Sequence, residues 1–231
     1  MSARLVRWSN MVFFAGMISV PVGLLACSMS RRVLLATMRA AIGTVMLAGP
    51  ARAQADARAA ALVRSAAEQM VAIVNGSESM DEKKARLRQV IDSAVDVEGV
   101  GRFALGRFGR AATADQMREY IVLFHDVLLT QITSRIGAYQ GGAFTMGATQ
   151  VRDNGEHVMT VVMLPNNPPA NVAWVVAEAN GALKIVDVIV EGTSMRLTQR
   201  SDYASYLARN GHDVQALVGA MRQQITVSRK F

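Results

Sequence analysis

The hydrophobic positions of this chain change period twice, near residue 140 and again after Val190. Up to the first change they recur at helical spacing. Leu62, Ala66, Met70 and Ile73 predict a helix over Asp56–Asn75, ended by Asn75-Gly76-Ser77. Leu87, Val90, Ile91 and Ala94 predict a second over Asp81–Ala94, with Lys83, Lys84, Arg86 and Arg88 as its solvated side. Gly99, Gly101, Gly106 and Gly109 break up Asp96–Arg110, which reads as short helices or helical turns. Thr113-Ala114-Asp115-Gln116 has the form of a capping box. The helix it opens runs to about Arg135, and its stripe of Met117, Ile121, Phe124, Leu128 and Ile132 is wide enough to lie across a sheet.

Beyond that point, as far as Val190, the period is that of strands. Phe144–Val151, Val158–Leu164, Val172–Ala179 and Leu183–Val190 are four candidates. Asp153-Asn154-Gly155 and Asn180-Gly181 are hairpin signals, and Pro165-Asn166-Asn167-Pro168-Pro169 is a longer polar loop. The pattern predicts an α+β fold with an antiparallel sheet of about four strands, covered by N- and C-terminal helices. Val158–Leu164 is apolar at both sets of alternating positions, so both faces of the sheet need cover. Helices supply one cover; a second layer or a ligand must supply the other, which suggests an apolar cavity. Glu191-Gly192 stops the last strand, and Thr193 or Ser194 can cap a following helix. Ser201–Asn210 is a helix closed by Asn210-Gly211, and Asp213 can cap a last one through Val214, Leu217, Val218, Met221 and Ile225. A loose tail is expected at Ser228–Phe231.

Charge then locates the working part of the chain. The net charge is +7, with 25 basic and 18 acidic residues. Arg4, Arg7, Arg31, Arg32, Arg39 and Arg52 all fall in residues 1–53, which contain no acid. Without those six, 19 basic residues face 18 acidic ones. The basic excess therefore belongs to targeting, and no basic cluster interleaved with aromatics supports nucleic-acid binding. Residues 1–53 read as a targeting region and 54–231 as one domain. Ala40–Ala48, preceded by Arg31, Arg32 and Arg39 and followed by Ala51-Arg52-Ala53, has the form of a secretory signal over 29–53 cleaved after Ala53. The earlier apolar run Met11–Ala26 has three open readings. Residues 1–28 are an extension ahead of a start at Met29; or Leu24-Leu25-Ala26-Cys27 is a lipobox; or the run is a short membrane span interrupted by Pro21. Each implies export of the body, to the periplasm. Cys27 is the single cysteine, so the body has no thiol or disulfide.

Catalytic patterns are absent. His125, His157 and His212 show no metal-ligand spacing, and there is no Gly-x-Ser-x-Gly elbow or phosphate loop. Asp187 and Glu191 lie roughly 13 Å apart along a strand, too far for a glycosidase pair. Solvation at a sheet edge, or a hydrogen bond with the following turn, is the simpler expectation for both. No catalytic residue, metal or cofactor is assigned, and the chain reads as a non-enzyme.

The string Val186–Met195, V-D-V-I-V-E-G-T-S-M, followed by Thr198–Tyr203 and Asn210-Gly211, resembles the C-terminal signature of the MlaC family of periplasmic phospholipid carriers, also called the toluene-tolerance family. Leu105–Phe108 and Thr113–Phe124 are similar to the family's segment before and into its long helix. Tyr203–Leu217 also resembles the HpnM proteins associated with hopanoid lipids. The resemblance implies a sheet like that of nuclear-transport-factor domains and a deep apolar cavity. It also implies a shuttle carrying phospholipid or a hopanoid-type lipid between an outer-membrane MlaA-like lipoprotein and an inner-membrane ABC transporter complex with an MlaD-like component. The alternative is an exported adaptor or lipoprotein with a solid core and a protein-binding surface.

A carrier has a clear energetic task. Two acyl chains hold on the order of thirty methylenes, and exposing them to water costs on the order of 25 kcal/mol. An apolar pocket without buried charge offsets that. The expected lining is Phe103, Phe108, Ile121, Phe124, Leu128, Met159, Val161, Met163, Trp174, Val176, Val188, Val190 and Met195. A one-residue error in strand parity would exchange the facing set. The 14 methionines suit adaptable packing around such cargo.

Overall fold

The computed structural model describes residues 49–228, with side-chain surroundings from residue 56. The readings of both N-terminal apolar runs, of Cys27 and of the last three residues lie outside the described residues. The elements are α1 (Gly49–Asn75), α2 (Met80–Ala94), α3 (Val97–Leu105), a 3-10 turn (Gly106–Arg110), α4 (Ala114–Thr133) and a second 3-10 turn (Ile136–Tyr139). Strands β1 (Ala143–Arg152), β2 (Gly155–Met163), β3 (Ala170–Ala179), β4 (Ala182–Val190) and β5 (Thr193–Ser194) follow, then α5 (Met195–Arg209) and α6 (Val214–Ser228). This is the expected α+β arrangement.

Local chemistry accounts for most boundaries. Ser79 caps α2 by accepting from the Glu82 amide, while the Glu82 carboxylate accepts from the Ser79 amide. Thr113 and Gln116 do the same for α4. The Ser194 hydroxyl accepts from the Leu197 amide and opens α5, which continues unbroken through Ser201. Lys83 departs from the solvated face expected of it. It is buried, and its Nζ donates to the Val74 carbonyl at 3.1 Å, closing the C-terminal end of α1. That contact joins two helices, and helical periodicity within one of them cannot register it.

The sheet is an antiparallel meander in the order β1-β2-β3-β4-β5. Asn180 and Gly181 both have positive φ, as the hairpin turn between β3 and β4 requires. Glu191 (φ 47°) and Gly192 (φ 80°) repeat that geometry. They do more than end β4: they fold Thr193-Ser194 back onto Val190 and Ile189 as a fifth strand. Gly155 follows the first hairpin turn with φ 128°, and a Cβ there would sit 2.4 Å from the Val176 carbonyl oxygen. Only glycine fits.

Cross-strand register divides the sheet into two faces. Val158 stands opposite Trp174, and Trp174 opposite Val188. Val158, Val176 and Ile185 lie in one buried cluster with Ala59, Val63 and Ile73 of α1, Leu87 and Ile91 of α2, and Leu129 of α4. A second cluster is purely helical. It joins Ala104 and Leu105 of α3, Phe108 of the first 3-10 turn, Tyr120, Phe124 and Val127 of α4, Tyr203 and Leu207 of α5, and Leu217, Val218 and Met221 of α6. The stripe on α4 therefore does not lie across the sheet as expected. Its first half packs against α3, α5 and α6, and only its end, with Leu128, Leu129 and Ile132, reaches the cluster that contains the sheet. A wide apolar stripe specifies burial but not the partner, and the equally apolar α6 competes for it.

Candidate functional site

The junction between β4 and α5 is held by one buried carboxylate. Asp187 accepts from the Val188 amide at 2.8 Å, the Ser194 hydroxyl at 2.5 Å and the Arg196 amide at 3.1 Å. Arg196 Nε lies 3.4 Å from it as an ion pair without a well-aligned hydrogen bond. Asp187 is thus tied to the turn that follows, as the simpler reading expected. Glu191 instead accepts from the Asn171 amide at 2.5 Å. The two carboxylates have separate partners and form no catalytic pair.

Arg196 also reaches outward. Its guanidinium lies 4.6 Å from the centre of the Phe103 ring, and that of Arg200 lies 5.0 Å from the same ring. Next to them a concavity of about 230 Å³ is lined by Leu105, Gly106, Arg107, Phe108, Arg200 and Ala204. This is smaller than the roughly 300–1,000 Å³ of an ordinary small-molecule pocket. It lies at the 3-10 turn and α5, away from the expected position between α4 and the sheet. In that expected position Leu129, Val158, Val176 and Ile185 pack together, each no more than 3% exposed.

The thirteen expected lining residues do not form one wall. Trp174, Val176, Val188 and Val190 share the face that packs on α1 and α2. Met159 pairs with Ala173 and Val161 with Asn171, so Met159, Val161 and Met163 point to the opposite face. The β2 parity assumed for them is off by one, and Val158, Thr160 and Val162 replace them. The doubly apolar run Val158–Leu164 carries no alternation from which to choose a face. Thr160 is the unexpected polar member. It is buried, it accepts from the Trp174 indole at 2.9 Å, and it donates to the Val172 carbonyl at 3.3 Å.

Leu128 flanks the sheet-containing cluster; Phe108 and Phe124 are buried in the helical one, with Ile121 packed against it. Phe103 and Met195 are half-buried near α5. Val97, outside the expected lining, packs against both clusters and marks the seam between them. Leu128, Trp174 and Val188 are half-buried against the first cluster, and Val100 and Ile121 against the second.

The histidines are dispersed. His125 Nε2 lies 2.7 Å from Asp92 and Nδ1 lies 3.0 Å from Arg88, bracing α2 against α4. His212 stacks on Phe108, and His157 Nε2 lies 2.9 Å from the Asn154 side-chain oxygen. Burial, aided by Arg152, lowers the His157 pKa, and Asp187 acts in the opposite sense. Burial also pushes the phenol pKa values of Tyr120 and Tyr203 upward; the Tyr120 hydroxyl donates to the Gly101 carbonyl at 2.8 Å. Among the described residues no group of three or more His, Cys, Asp or Glu is placed to hold a metal ion.

Residues 64–223 match the family described as MlaC protein. The chain belongs to the MlaC family. A relative of this MlaC chain is the toluene tolerance protein of Pseudomonas putida, 20% identical over 146 residues, which are 62% of this chain and 68% of the relative. A solved structure of similar fold is the phospholipid-binding protein from Ralstonia solanacearum, in complex with a phospholipid. It has a TM-score of 0.63 and 19% identity, and the match covers 74% of this chain and 98% of that one.

Proposed function

We propose that this MlaC-family chain is a periplasmic lipid shuttle whose cargo is phospholipid, and that it performs no catalytic step. The carrying observation is the division of its interior into two apolar clusters that share Val97, each flanked by half-buried apolar residues. The phospholipid complex formed by the Ralstonia protein of similar fold supports the same reading. Each cluster closes on its own side chains, because apolar surface left open to water is costly. An acyl chain enters by parting them at Val97 and Val100, between Trp174 and Val188 on one side and Ile121 on the other. It replaces side-chain contacts with lipid contacts of similar worth, so uptake is reversible. The proposal extends to export under a signal cleaved after Ala53. It extends also to exchange between an outer-membrane lipoprotein and an inner-membrane ABC transporter complex, with a hopanoid-type lipid as the alternative cargo.

Solvent extraction of the purified protein, followed by mass spectrometry, tests the reading. One two-chain lipid per protein is expected. Protein that is lipid-free as isolated, and that takes up none from vesicles, would overturn it.

A further inference from the structure

The concavity beside α5 has an unbalanced charge. Arg107 and Arg200 both line it, and both are exposed. Both lie over aromatic rings: Arg107 is 5.0 Å from the centre of Phe108 and Arg200 is 5.0 Å from that of Phe103. Among the described residues no carboxylate forms an ion pair with either, whereas Arg86, Arg88, Arg102, Arg118, Arg196 and Arg222 each have one. The nearby Asp187 is already engaged by Arg196, Ser194 and two backbone amides.

The backbone is shaped to admit one of these cations. Gly106 has φ +58°, and a Cβ on it would lie 3.1 Å from Arg200 Nε. The guanidinium therefore rests across a position that carries no side chain. The remaining walls, Leu105, Phe108 and Ala204, are apolar. Two unneutralised guanidinium forks on an apolar floor suit an oxyanion attached to hydrocarbon. The volume holds a headgroup-sized anion and not a pair of acyl chains.

We infer that Arg107 and Arg200 form a subsite for a phosphate group. Taken with the proposed lipid cargo, on which this part of the inference rests, the phosphate is that of the phospholipid headgroup. The subsite makes the carrier selective for phosphorylated lipids over neutral ones with the same tails.

The test compares uptake of phosphatidylglycerol with uptake of diacylglycerol of identical chains, from otherwise phosphatidylcholine-free vesicles, by the wild type and by an Arg107→Gln/Arg200→Gln variant. Both side chains are exposed and lack ion pairs, so the variant should melt as the wild type does. Wild type should prefer the phosphorylated lipid by roughly tenfold or more, the effect of one or two charge-assisted hydrogen bonds, and the variant should lose that preference. Equal uptake of both lipids by wild type, or an undiminished preference in the variant, overturns the inference. If neither lipid is taken up, the shuttle reading fails, and the subsite is then judged with inorganic phosphate alone. Saturable shifts of the Arg107 and Arg200 Nε–H resonances, measured against chloride at equal ionic strength, would assign the site to free phosphate. Their absence would overturn it.

Discussion

Asp187 combines several constraints in one side chain. It is nearly fully buried and receives two backbone amides and one hydroxyl, with Arg196 beside it. Replacing it with alanine leaves these donors without an acceptor, which costs about 2–4 kcal/mol. Asp187→Ala should therefore lower the melting temperature by several degrees or more in calorimetry. Asp187→Asn, which keeps one acceptor oxygen, should lose less. His157 gives a pH signature. Its lowered pKa means that the unfolded chain takes up its proton first as pH falls. The contribution is complete above the ordinary histidine value of 6.5 and is lost as pH falls from there through the folded-state value. The raised pKa of Glu156, caused mainly by burial and next by Asp56, works in the opposite sense at more acid pH. Comparing wild type with His157→Gln isolates the histidine: between pH 7 and 5 the variant should lose less melting temperature. An equal loss in both would count against this assignment.

At the level of elements, capping chemistry explains why several boundaries can be read directly from residues. Thr113 and Gln116 satisfy each other's amides at the start of α4, and the same four-residue pattern is visible in the sequence. Thr113→Ala should cost about 1 kcal/mol, observed as a lower denaturant midpoint with unchanged slope. Strand spans were also legible, because hairpin residues need particular φ values and advertise them. The direction in which each element faces was not. Met159, Val161 and Met163 fall on the face opposite Trp174, and Lys83 is buried under α1, because facing depends on neighbours distant in sequence.

For the molecule as a whole, the proposed function depends on how the two apolar clusters meet. Val97 touches both, and a larger side chain there would wedge into the seam where an acyl chain is proposed to enter. Val97→Trp should reduce lipid recovered with the purified protein several-fold, while its half-buried position keeps the loss of stability to about 1–3 kcal/mol. Full lipid occupancy in a folded Val97→Trp protein would place the cargo elsewhere.

Helix and strand extents, the antiparallel meander and membership of a lipid-carrier family follow from local rules: periodicity, caps, turn residues and a short motif around Asp187. Each acts over a few residues, so each can be read along the chain. The partition of α4 between two clusters, the parity of β2 and the placing of Arg107 and Arg200 on one concavity arise from contacts between distant segments. Apolar burial is non-directional; it says that a stripe must be covered and leaves the choice of cover to the packed chain.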